Sequence, residues 1–455
     1  MPVLHAARAL TPDGWRSDVR VTIGNGAIMS VETGAGEQEG DERHAIMAPA
    51  PANLHSHAFQ RAMAGLAEVR GEETDTFWTW RETMYRFALM MSPDDVEAVA
   101  AQLYVEMLEA GFAAVAEFHY LHHAPDGSPY AQPAEMAGRI LSAARRVGIG
   151  VTLLPVFYAH STFGGAAPRP EQRRFLCDLH SFARLLEDCR ELIKANEGET
   201  LGVAPHSLRA VTPDELSEIM TLAGDGLIHI HAAEQVKEVE DCIASLGARP
   251  VRWLLDHAGV DERWCLVHAT HMDQGETQDL ARSGAVAGLC PVTEGNLGDG
   301  IFNAADYIHA GGCYGVGTDS NVAIGVAAEL RQLEYAQRLR QRARNVCSLP
   351  GASCGRTMLE AAWLGGAQAL GRNSGRLAPG AVADILTFRA DHPTLVGKED
   401  DQILDAWIFS VGNPLVDCVW SGGLKVVADG RHVFKDQVAA QFAKTMRELG
   451  QQAAL

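Results

Sequence analysis

Two histidines stand one residue apart in the stretch PANLHSHAFQRAM, at residues 51–63. They are His55 and His57, and they follow the apolar run AIMAPAPANL, which predicts a β-strand. Alternate residues of a strand point to the same side, so both imidazoles would leave from one face. Considered alone, such a pair is usually two surface histidines at the end of a strand. Aimed at one point, the two rings would suit Zn²⁺ or Fe²⁺, given one or two further ligands.

Side chains that can bind metals or move protons follow several other apolar segments. They are Glu117, His119 and Tyr120 after FAAVAEF, His206 and Arg209 after LGVAP, His229, His231 and Glu234 in GLIHIHAAE, His268 and His271 at WCLVHAT, and Asp319 in GCYGVGTDS. The chain has 18 histidines, and composition alone would not gather them at such places. His231 and Asp319 would complete a metal site with His55 and His57. Three nitrogens and one carboxylate leave the open coordination position that is typical of a catalytic metal.

Glu234 and His268 are the candidate proton-handling groups. Glu234 lies three residues after His231, near enough to transfer protons beside a metal. A solvated glutamate opening the helix EQVKEVEDC is the alternative for Glu234. His268 could donate to an oxygen that develops charge, and a hydrogen-bonded core histidine is the alternative there. We assign no role to His229, and we expect His119 and His271 to be loop residues or to support the ligands.

The segments that carry these residues alternate with helical patterns, such as PDDVEAVAAQLYVEMLEAG and PAEMAGRILSAARRVG. Eight short apolar segments, starting with the one before His55, predict an α/β fold, a (β/α)₈ TIM-type barrel over residues 49–374. In such a barrel the chemistry lies at the C-terminal ends of the strands. A doubly wound open sheet is the alternative fold, but no GxGxxG motif follows an early strand.

The two ends of the chain have a different pattern. Residues 1–48 contain VRVTIGNGAIMSVETG, which predicts two strands around the turn Gly24-Asn25-Gly26. Residues 375–455 contain GRLAPGAVADILTF, DAWIFSVG and VDCVWSGGLKVVADGRHVF, which also read as strands and tight turns. We expect both ends to pair into one small β-sandwich, capped by a C-terminal helix around QVAAQFAKTMREL.

Charge and composition exclude several classes of partner. The 455-residue chain has a formal net charge of −20, which argues against nucleic acid and anionic membranes as partners. It has no run of about 18 apolar residues, and the stretch MPVLHAARALTPDGW leads us to expect no secretory leader. Its nine cysteines are scattered without CxxC pairs, which suits a reducing compartment. We therefore expect a cytoplasmic protein.

The combined motif resembles the amidohydrolase superfamily, in the branch that deaminates with one bound metal. The matching residues are His55 and His57, His231 in HAAE, His268, and Asp319 in GVGTDSN. The resemblance implies that His55, His57, His231 and Asp319 hold one divalent metal, usually zinc, with Fe²⁺ as the alternative. It also implies that Glu234, His268 and Asp319 move protons and polarise the substrate. A homodimer is common among similar proteins.

Within that branch the chain is similar to the deiminases that convert N-formimino-L-glutamate to N-formyl-L-glutamate and ammonia in histidine degradation. NLHSHAFQRAMAG, FWTWRETMY, AEFHYLHH, VAPHSLRAV and CPVTEGNLGDGIF carry this similarity. Purine aminohydrolases tend to have PHAPYT after the fourth strand, where this chain has PHSLRAV. A substrate with two carboxylates needs local cations in so acidic a protein, and arginine suits carboxylates. We expect Arg209 and Arg81 to supply them, with Gln60, Tyr120 and His206 as further donors.

Two other functions stay open at this point. The first is a deaminase or hydrolase of a neutral purine, pterin or triazine ring, which would not obviously need these arginines. The second is a non-enzymatic binding protein that keeps a vestigial metal site. The segment 66–92, a long excursion after the first barrel strand, is a candidate lid, from the same subunit or from a neighbouring one.

Overall fold

The structure, a computed structural model, describes residues 1–70, 75–194 and 198–453. Its strands are β1 (Val3–Thr11), β2 (Gly14–Gly24), β3 (Ala27–Glu32), β4 (Glu42–Pro49), β5 (Ala52–Ser56), β6 (Ala114–His119), β7 (Gly150–Phe157), β8 (Thr200–Pro205), β9 (Leu227–Ala232), β10 (Trp264–His268), β11 (Val286–Leu289), β12 (Cys313–Val316), β13 (Ile385–Phe388), β14 (Val416–Ser421), β15 (Leu424–Ala428) and β16 (Arg431–His432).

Helices follow most of the central strands. They are α1 (Phe77–Ala88), α2 (Pro93–Glu109), α3 (Glu135–Val147), α4 (Leu179–Lys194), α5 (Pro213–Ala223), α6 (Val236–Leu246), α7 (Pro250–His257), α8 (Gln274–Ser283), α9 (Pro291–Leu297), α10 (Ala304–His309), α11 (Val326–Gln341), α12 (Cys354–Ala369), α13 (Asp401–Ala406) and α14 (Lys435–Ala453). No helix in the described ranges has both the length and the apolar character needed to cross a membrane.

Strands β5 to β12 form one parallel sheet in which each strand pairs with its neighbour in the sequence. The sheet closes where Ser56 and Asp319 form a parallel bridge. The Asp319 N–H donates to the His55 carbonyl at 3.0 Å, and the His57 N–H donates to the Asp319 carbonyl at 3.1 Å. These contacts confirm the predicted (β/α)₈ barrel, and the open doubly wound sheet is excluded.

The local sequence explains where the barrel elements begin. Every residue of β6 is buried, as expected for parallel strands covered on both faces. Three helices begin with a side chain that accepts from a backbone N–H while an acidic residue three positions later accepts in return. The pairs are Ser92 with Asp95 in α2, Thr212 with Glu215 in α5, and Asp273 with Glu276 in α8. Such caps fix the helix starts, and hence the lengths of the loops that carry the site.

The two ends of the chain build a second sheet, as predicted. Its order is β16-β15-β14-β13-β4-β1-β2-β3, so strands from both ends meet where β13 pairs with β4. This sheet has its own apolar core, which includes Leu4, Val21, Met47, Ile385 and Trp420. The described sheet therefore joins residues far apart in the sequence and lies outside the barrel.

The prediction of a strand at DAWIFSVG, residues 405–412, is wrong. The segment ends α13 and continues as one π-helical turn over Trp407–Val411. Asp405 accepts from the Gly355 N–H at 2.8 Å, which ties the segment to the start of α12, and Trp407 is fully buried. A short apolar run fits a buried helix as well as a strand, and only these tertiary contacts decide between them.

The C-terminal helix exists, but it packs along α2 on the barrel rather than serving mainly as a cap on the terminal sheet. Glu109 of α2 anchors the approach to this helix: it accepts from the His432 N–H at 2.9 Å and pairs with the Lys435 Nζ at 2.7 Å. Helix α14 thus joins the second sheet to the barrel wall.

Candidate metal centre and active site

Four buried side chains meet at the C-terminal end of the barrel. They are His55, His57, His231 and Asp319, and one potential ligand atom from each lies within 4.8 Å of the other three. The His55 Nε2 is 3.1 Å from both the His57 Nε2 and the His231 Nε2. The Asp319 Oδ1 is 3.2 Å from the His57 Nε2 and 3.5 Å from the His55 Nε2. The structure therefore brings together the four predicted metal ligands.

Backbone carbonyls orient two of the three rings. The His57 Nδ1 is 2.9 Å from the Phe118 carbonyl, and the His231 Nδ1 is 3.0 Å from the His206 carbonyl. A carbonyl only accepts, so each Nδ1 carries a proton and, in a neutral ring, the Nε2 presents its lone pair. Burial lowers the pKa of His55 to about 3 and that of His231 well below its ordinary value, so these rings are neutral.

This donor set fits a divalent cation. The lone pairs of neutral imidazoles converge on one point. Facing lone pairs repel one another unless a proton or a cation lies between them, and neutral rings with protonated Nδ1 atoms have no proton on Nε2 to share. Zinc binds imidazole nitrogen at about 2.0–2.1 Å, so two ligands of one ion lie roughly 3 Å apart, as these atoms do. Burial would raise the pKa of Asp319, but the neighbouring His55 and His57 rings hold it well below its ordinary value, so the carboxylate is anionic.

Two proposed proton carriers face this cluster. The His268 Nε2 lies 3.7 Å from the Glu234 Oε1 and 3.8 Å from the Asp319 Oδ2. Burial favours neutral forms, and it raises the pKa of Glu234 above its ordinary value. Burial would lower the pKa of His268, but the carboxylates of Glu234, Glu294 and Asp319 outweigh it and raise this pKa to about 10. His268 can therefore donate a hydrogen bond at neutral pH.

The backbone is strained at two of these residues. His268 has φ 68° and Asp319 has φ 46°, and both values lie in the left-handed region that side chains other than glycine seldom adopt. Such a conformation costs on the order of 1–3 kcal/mol and persists where the surrounding structure imposes it. His268 is the last residue of β10 and Asp319 follows β12 by three residues, so the strain lies at the strand ends that carry the site.

A cavity opens above the cluster and is covered by α1. Counted out to its mouth, it encloses about 510 Å³. Phe77, Trp80 and Tyr85 of α1 line it together with the candidate metal ligands His57, His231 and Asp319. Helix α1 thus covers the site of its own chain. Residues 71–74 of the candidate lid lie outside the described residues.

Arg81 and Arg209 both line this cavity. The Arg81 Nη2 donates to the Tyr158 hydroxyl at 2.7 Å. The Arg209 Nη2 lies 3.4 Å from the Glu234 Oε2 and 4.0 Å from the Glu238 Oε2. Arg209 is only 7% exposed, and the two carboxylates keep its guanidinium charged, because they outweigh the effect of burial and raise its pKa.

The remaining predicted substrate-binding residues line the same cavity: Gln60, Tyr120 and His206. Gln60 lies in a 3₁₀ turn over Ala58–Met63, and its buried Oε1 has no hydrogen-bond partner among the residues that the structure describes. Tyr120 stacks obliquely against His57, with ring centroids 4.7 Å apart. All three side chains can therefore reach a molecule bound above the metal cluster.

Other residues at the strand ends support the fold. Glu117 accepts from the Ala58 N–H at 2.6 Å and from the Tyr104 hydroxyl at 3.1 Å, and so holds the turn after β5. The His229 Nε2 is 2.8 Å from the Ala369 carbonyl, and the His271 Nε2 is 2.9 Å from the Asp299 carbonyl. His119 is buried and does not line the cavity. These four residues are outside the metal cluster.

Two residues at the site have no role in the sequence-based prediction. The Glu294 Oε1 lies 3.3 Å from the His268 Nδ1. Glu238 accepts from the Ala233 and Glu234 N–H groups, both at 3.1 Å, and so fixes the turn that carries Glu234. Glu294 lies in CPVTEGNLGDGIF, one of the stretches that carry the family resemblance, but nothing in the sequence pairs it with His268.

Comparison with known proteins assigns the chain to a family. The Amidohydrolase family model matches residues 46–426. The chain belongs to the amidohydrolase family. The model for the N-terminal domain of formimidoylglutamate deiminase HutF matches residues 1–45 of this amidohydrolase. The family uses a divalent metal, and the cluster of three histidines and Asp319 fits one.

Relatives of this amidohydrolase extend over its full length. It is 49% identical to a formimidoylglutamate deiminase of Pseudomonas aeruginosa over 99% of this chain and 100% of that protein. A crystal structure of an amidohydrolase from Brucella melitensis has 55% identity and a TM-score of 0.95, covering 99% of this chain and 100% of that one. A zinc-bound adenosine deaminase from Xanthomonas campestris, with 20% identity, 99% and 98% coverage and a TM-score of 0.82, shares the fold.

Proposed function

We propose that this amidohydrolase hydrolyses N-formimino-L-glutamate to N-formyl-L-glutamate and ammonia, as a step of histidine degradation. The observation that carries the proposal is that Arg81 and Arg209 line the same cavity as the metal cluster. A substrate with a hydrolysable amidine at one end and two carboxylates at the other matches this polarity. The name of the Pseudomonas aeruginosa relative supports the same assignment.

The arginines bind and orient the substrate. Arginine pairs with carboxylates through two parallel charge-assisted hydrogen bonds, which fix direction as well as distance. Arg209 is buried beside Glu234, so a carboxylate bound there would place the rest of the substrate next to the acid/base group. Gln60, Tyr120 and His206, which line the same cavity, add hydrogen-bond partners. Binding in one orientation contributes to the rate by holding the amidine carbon where water attacks.

Asp319, His268 and Glu234 divide the proton transfers between them. Asp319 accepts a proton from the water that attacks the formimino carbon. His268 donates a hydrogen bond that stabilises the tetrahedral intermediate. Glu234 delivers a proton to the formimino nitrogen as water adds. When the carbon–nitrogen bond breaks, the hydroxyl proton of the intermediate passes to the same nitrogen, ammonia leaves, and the carbon retains the water oxygen as a formyl group. The proton held by Asp319 then returns to Glu234. A divalent ion held by His55, His57, His231 and Asp319 would lower the pKa of the attacking water toward about 7.

Zinc is the metal that we propose, and Fe²⁺ is the alternative. Imidazole ligands suit both ions, and catalytic zinc sites combine imidazole or carboxylate ligands with one open position. We also propose a homodimer in the cytoplasm. Its domains would be a β domain from residues 1–48 and 375–455, the latter including the C-terminal helix, and the barrel from residues 49–374. We propose neither nucleic acid nor a membrane as a partner.

The second candidate function is deamination of a neutral purine, pterin or triazine ring. Ring deamination stays the alternative because the adenosine deaminase from Xanthomonas campestris has the same fold. The experiment that separates the two measures ammonia release from N-formimino-L-glutamate and from guanine, before and after chelation of the metal. The proposal requires chelator-sensitive release from the formimino compound and release at least about 10²-fold slower from guanine. Faster turnover of guanine would contradict it.

A further inference from the structure

His268 is held from behind by a carboxylate. Its Nδ1 is 3.3 Å from the Glu294 Oε1, and the same oxygen accepts from the Cys290 N–H at 2.9 Å. Glu294 lies on α9, directly after β11, and its side chain is buried at 4% exposure. The backbone bond from Cys290 fixes the carboxylate, and the carboxylate in turn fixes the imidazole.

This contact determines which nitrogen of His268 faces the substrate. An ionised carboxylate only accepts hydrogen bonds, so the Nδ1 must carry a proton that it donates to Glu294. The Nε2 is then directed to Glu234 and Asp319, at 3.7 and 3.8 Å. Without Glu294, a ring at a strained backbone position (φ 68°) would lose the partner that sets its rotation.

We infer that Glu294 is a positioning residue for the proposed deiminase reaction, which acts by holding His268 with its Nε2 toward the reacting atoms. Glu294 does not touch the substrate cavity, so its removal should lower the chemical rate without weakening substrate binding. The inference rests on the proposed function, because His268 acquires its role there.

A groove on the far side of Glu294 makes the inference testable by chemical rescue. Glu294 lines this groove together with Gly295, Gly298, Gly300 and Gln332, and counted out to its mouth the groove encloses about 750 Å³. Glu294 is thus shared between the groove and the back of His268. Truncation to alanine would leave space in which a small carboxylate from solution can reach the Nδ1.

The first experiment compares Glu294→Ala and Glu294→Gln with the wild type and with Glu329→Gln. We expect kcat of Glu294→Ala to fall about 10²-fold with KM within threefold. Glu294→Gln retains an acceptor and should lose less. Glu329 is a buried carboxyl close in the fold, whose pKa burial raises well above its ordinary value. Its Oε2 accepts from the Val292 N–H at 2.9 Å, a bond that the amide oxygen of glutamine can also accept, so Glu329→Gln should retain the wild-type kcat.

The second experiment adds sodium formate to Glu294→Ala, with sodium chloride at equal ionic strength as the control. Formate should raise kcat at least about tenfold and in a saturable way, whereas chloride should not. Formate should not raise the kcat of the wild type or of Glu329→Gln. Zinc content and melting temperature of each variant establish that the fold and the metal are retained.

The inference is overturned by either of two results. One is a Glu294→Ala kcat within threefold of the wild type, and the other is an absence of rescue by formate in a folded, metal-loaded variant. If Glu294→Ala does not fold, Glu294→Gln decides: a rise in KM that exceeds the fall in kcat overturns the inference. Failure of the wild type to release ammonia from N-formimino-L-glutamate would instead refute the proposed function, and the kcat comparison would then use the substrate that the wild type does turn over.

Discussion

Arg209 and Glu234 share a buried contact of 3.4 Å between the guanidinium Nη2 and the carboxylate Oε2. One of these residues is proposed to bind a substrate carboxylate and the other to transfer a proton. Because Glu238 lies 4.0 Å from the same Nη2 and also accepts the Glu234 N–H, binding and chemistry are held in one network. Substitutions of the two residues should nevertheless have separable kinetic effects.

Glu234→Gln should abolish most of the turnover while the metal stays bound. The amide keeps the size of the side chain but cannot transfer the proton, so kcat should fall on the order of 10²–10⁴-fold. Steady-state kinetics and metal analysis of the purified variant measure the two effects. The control is Glu262→Gln, a glutamate outside the cavity, which should leave both unchanged. A kcat within tenfold of the wild type would remove the acid/base role from Glu234.

Arg209→Met should mainly weaken substrate capture. Each hydrogen bond to a charged group contributes about 1.5–3 kcal/mol, so KM should rise roughly 10–100-fold with a smaller change in kcat. Arg263→Met is the control, because Arg263 pairs with Asp261 outside the cavity. N-formimino-4-aminobutyrate, which lacks the α-carboxylate, tests the contact directly. If Arg209 binds the α-carboxylate, Arg209→Met should hardly change the KM for N-formimino-4-aminobutyrate. Unchanged kinetics with the glutamate derivative would exclude Arg209 from binding.

Much of the fold and most of the site follow from local patterns. Each barrel strand is a short apolar segment, and successive strands of a parallel barrel lie side by side, so residues at strand ends converge once the strands are recognised. His55, His57, His231 and Asp319 could be found for this reason, although they span 265 positions from first to last. The structure shows that these four side chains converge, and metal binding by them is a proposal.

The rest depended on contacts that one sequence does not encode locally. The pairing of Glu294 with His268 requires the angle at which α9 leaves β11, and that angle is set by packing. The helical form of residues 405–412 depended on Asp405 meeting Gly355, 50 positions away. Likewise, the spacing of Phe77, Arg81 and Tyr85 places them on one face of a helix. The sequence does not show that this face of α1 lies over the cavity, because the position of α1 is set by tertiary packing.

Removal of the metal should lower both turnover and stability. A ligand that binds only the folded state stabilises it by about 2.7 kcal/mol at a concentration of 100 Kd. Chelation should therefore abolish ammonia release and lower the melting temperature, and added Zn²⁺ should restore both. His231→Asn should reduce the metal content, whereas His180→Asn, at an exposed position of α4, should not. Full activity in metal-free protein would contradict the ligand assignment.

Gly317→Ala should damage the metal centre without touching a ligand. Gly317 lies between β12 and Asp319, and a Cβ there would approach the backbone N and O of His55 to 2.7 Å. The barrel closes at this point, so the strand carrying His55 would have to move away, at a cost of about 1–3 kcal/mol for overpacking. At an unfolding entropy of about 2.1 cal/mol/K per residue, a chain of 455 residues loses about 1 °C in melting temperature per kcal/mol. We therefore expect a fall of about 1–3 °C, together with weaker metal binding. Calorimetry and metal titration measure the two effects. Gly36→Ala is the matched control, because a Cβ at Gly36 meets nothing within 4 Å. A Gly317→Ala protein that melts and binds metal like Gly36→Ala would show that the closure does not constrain His55.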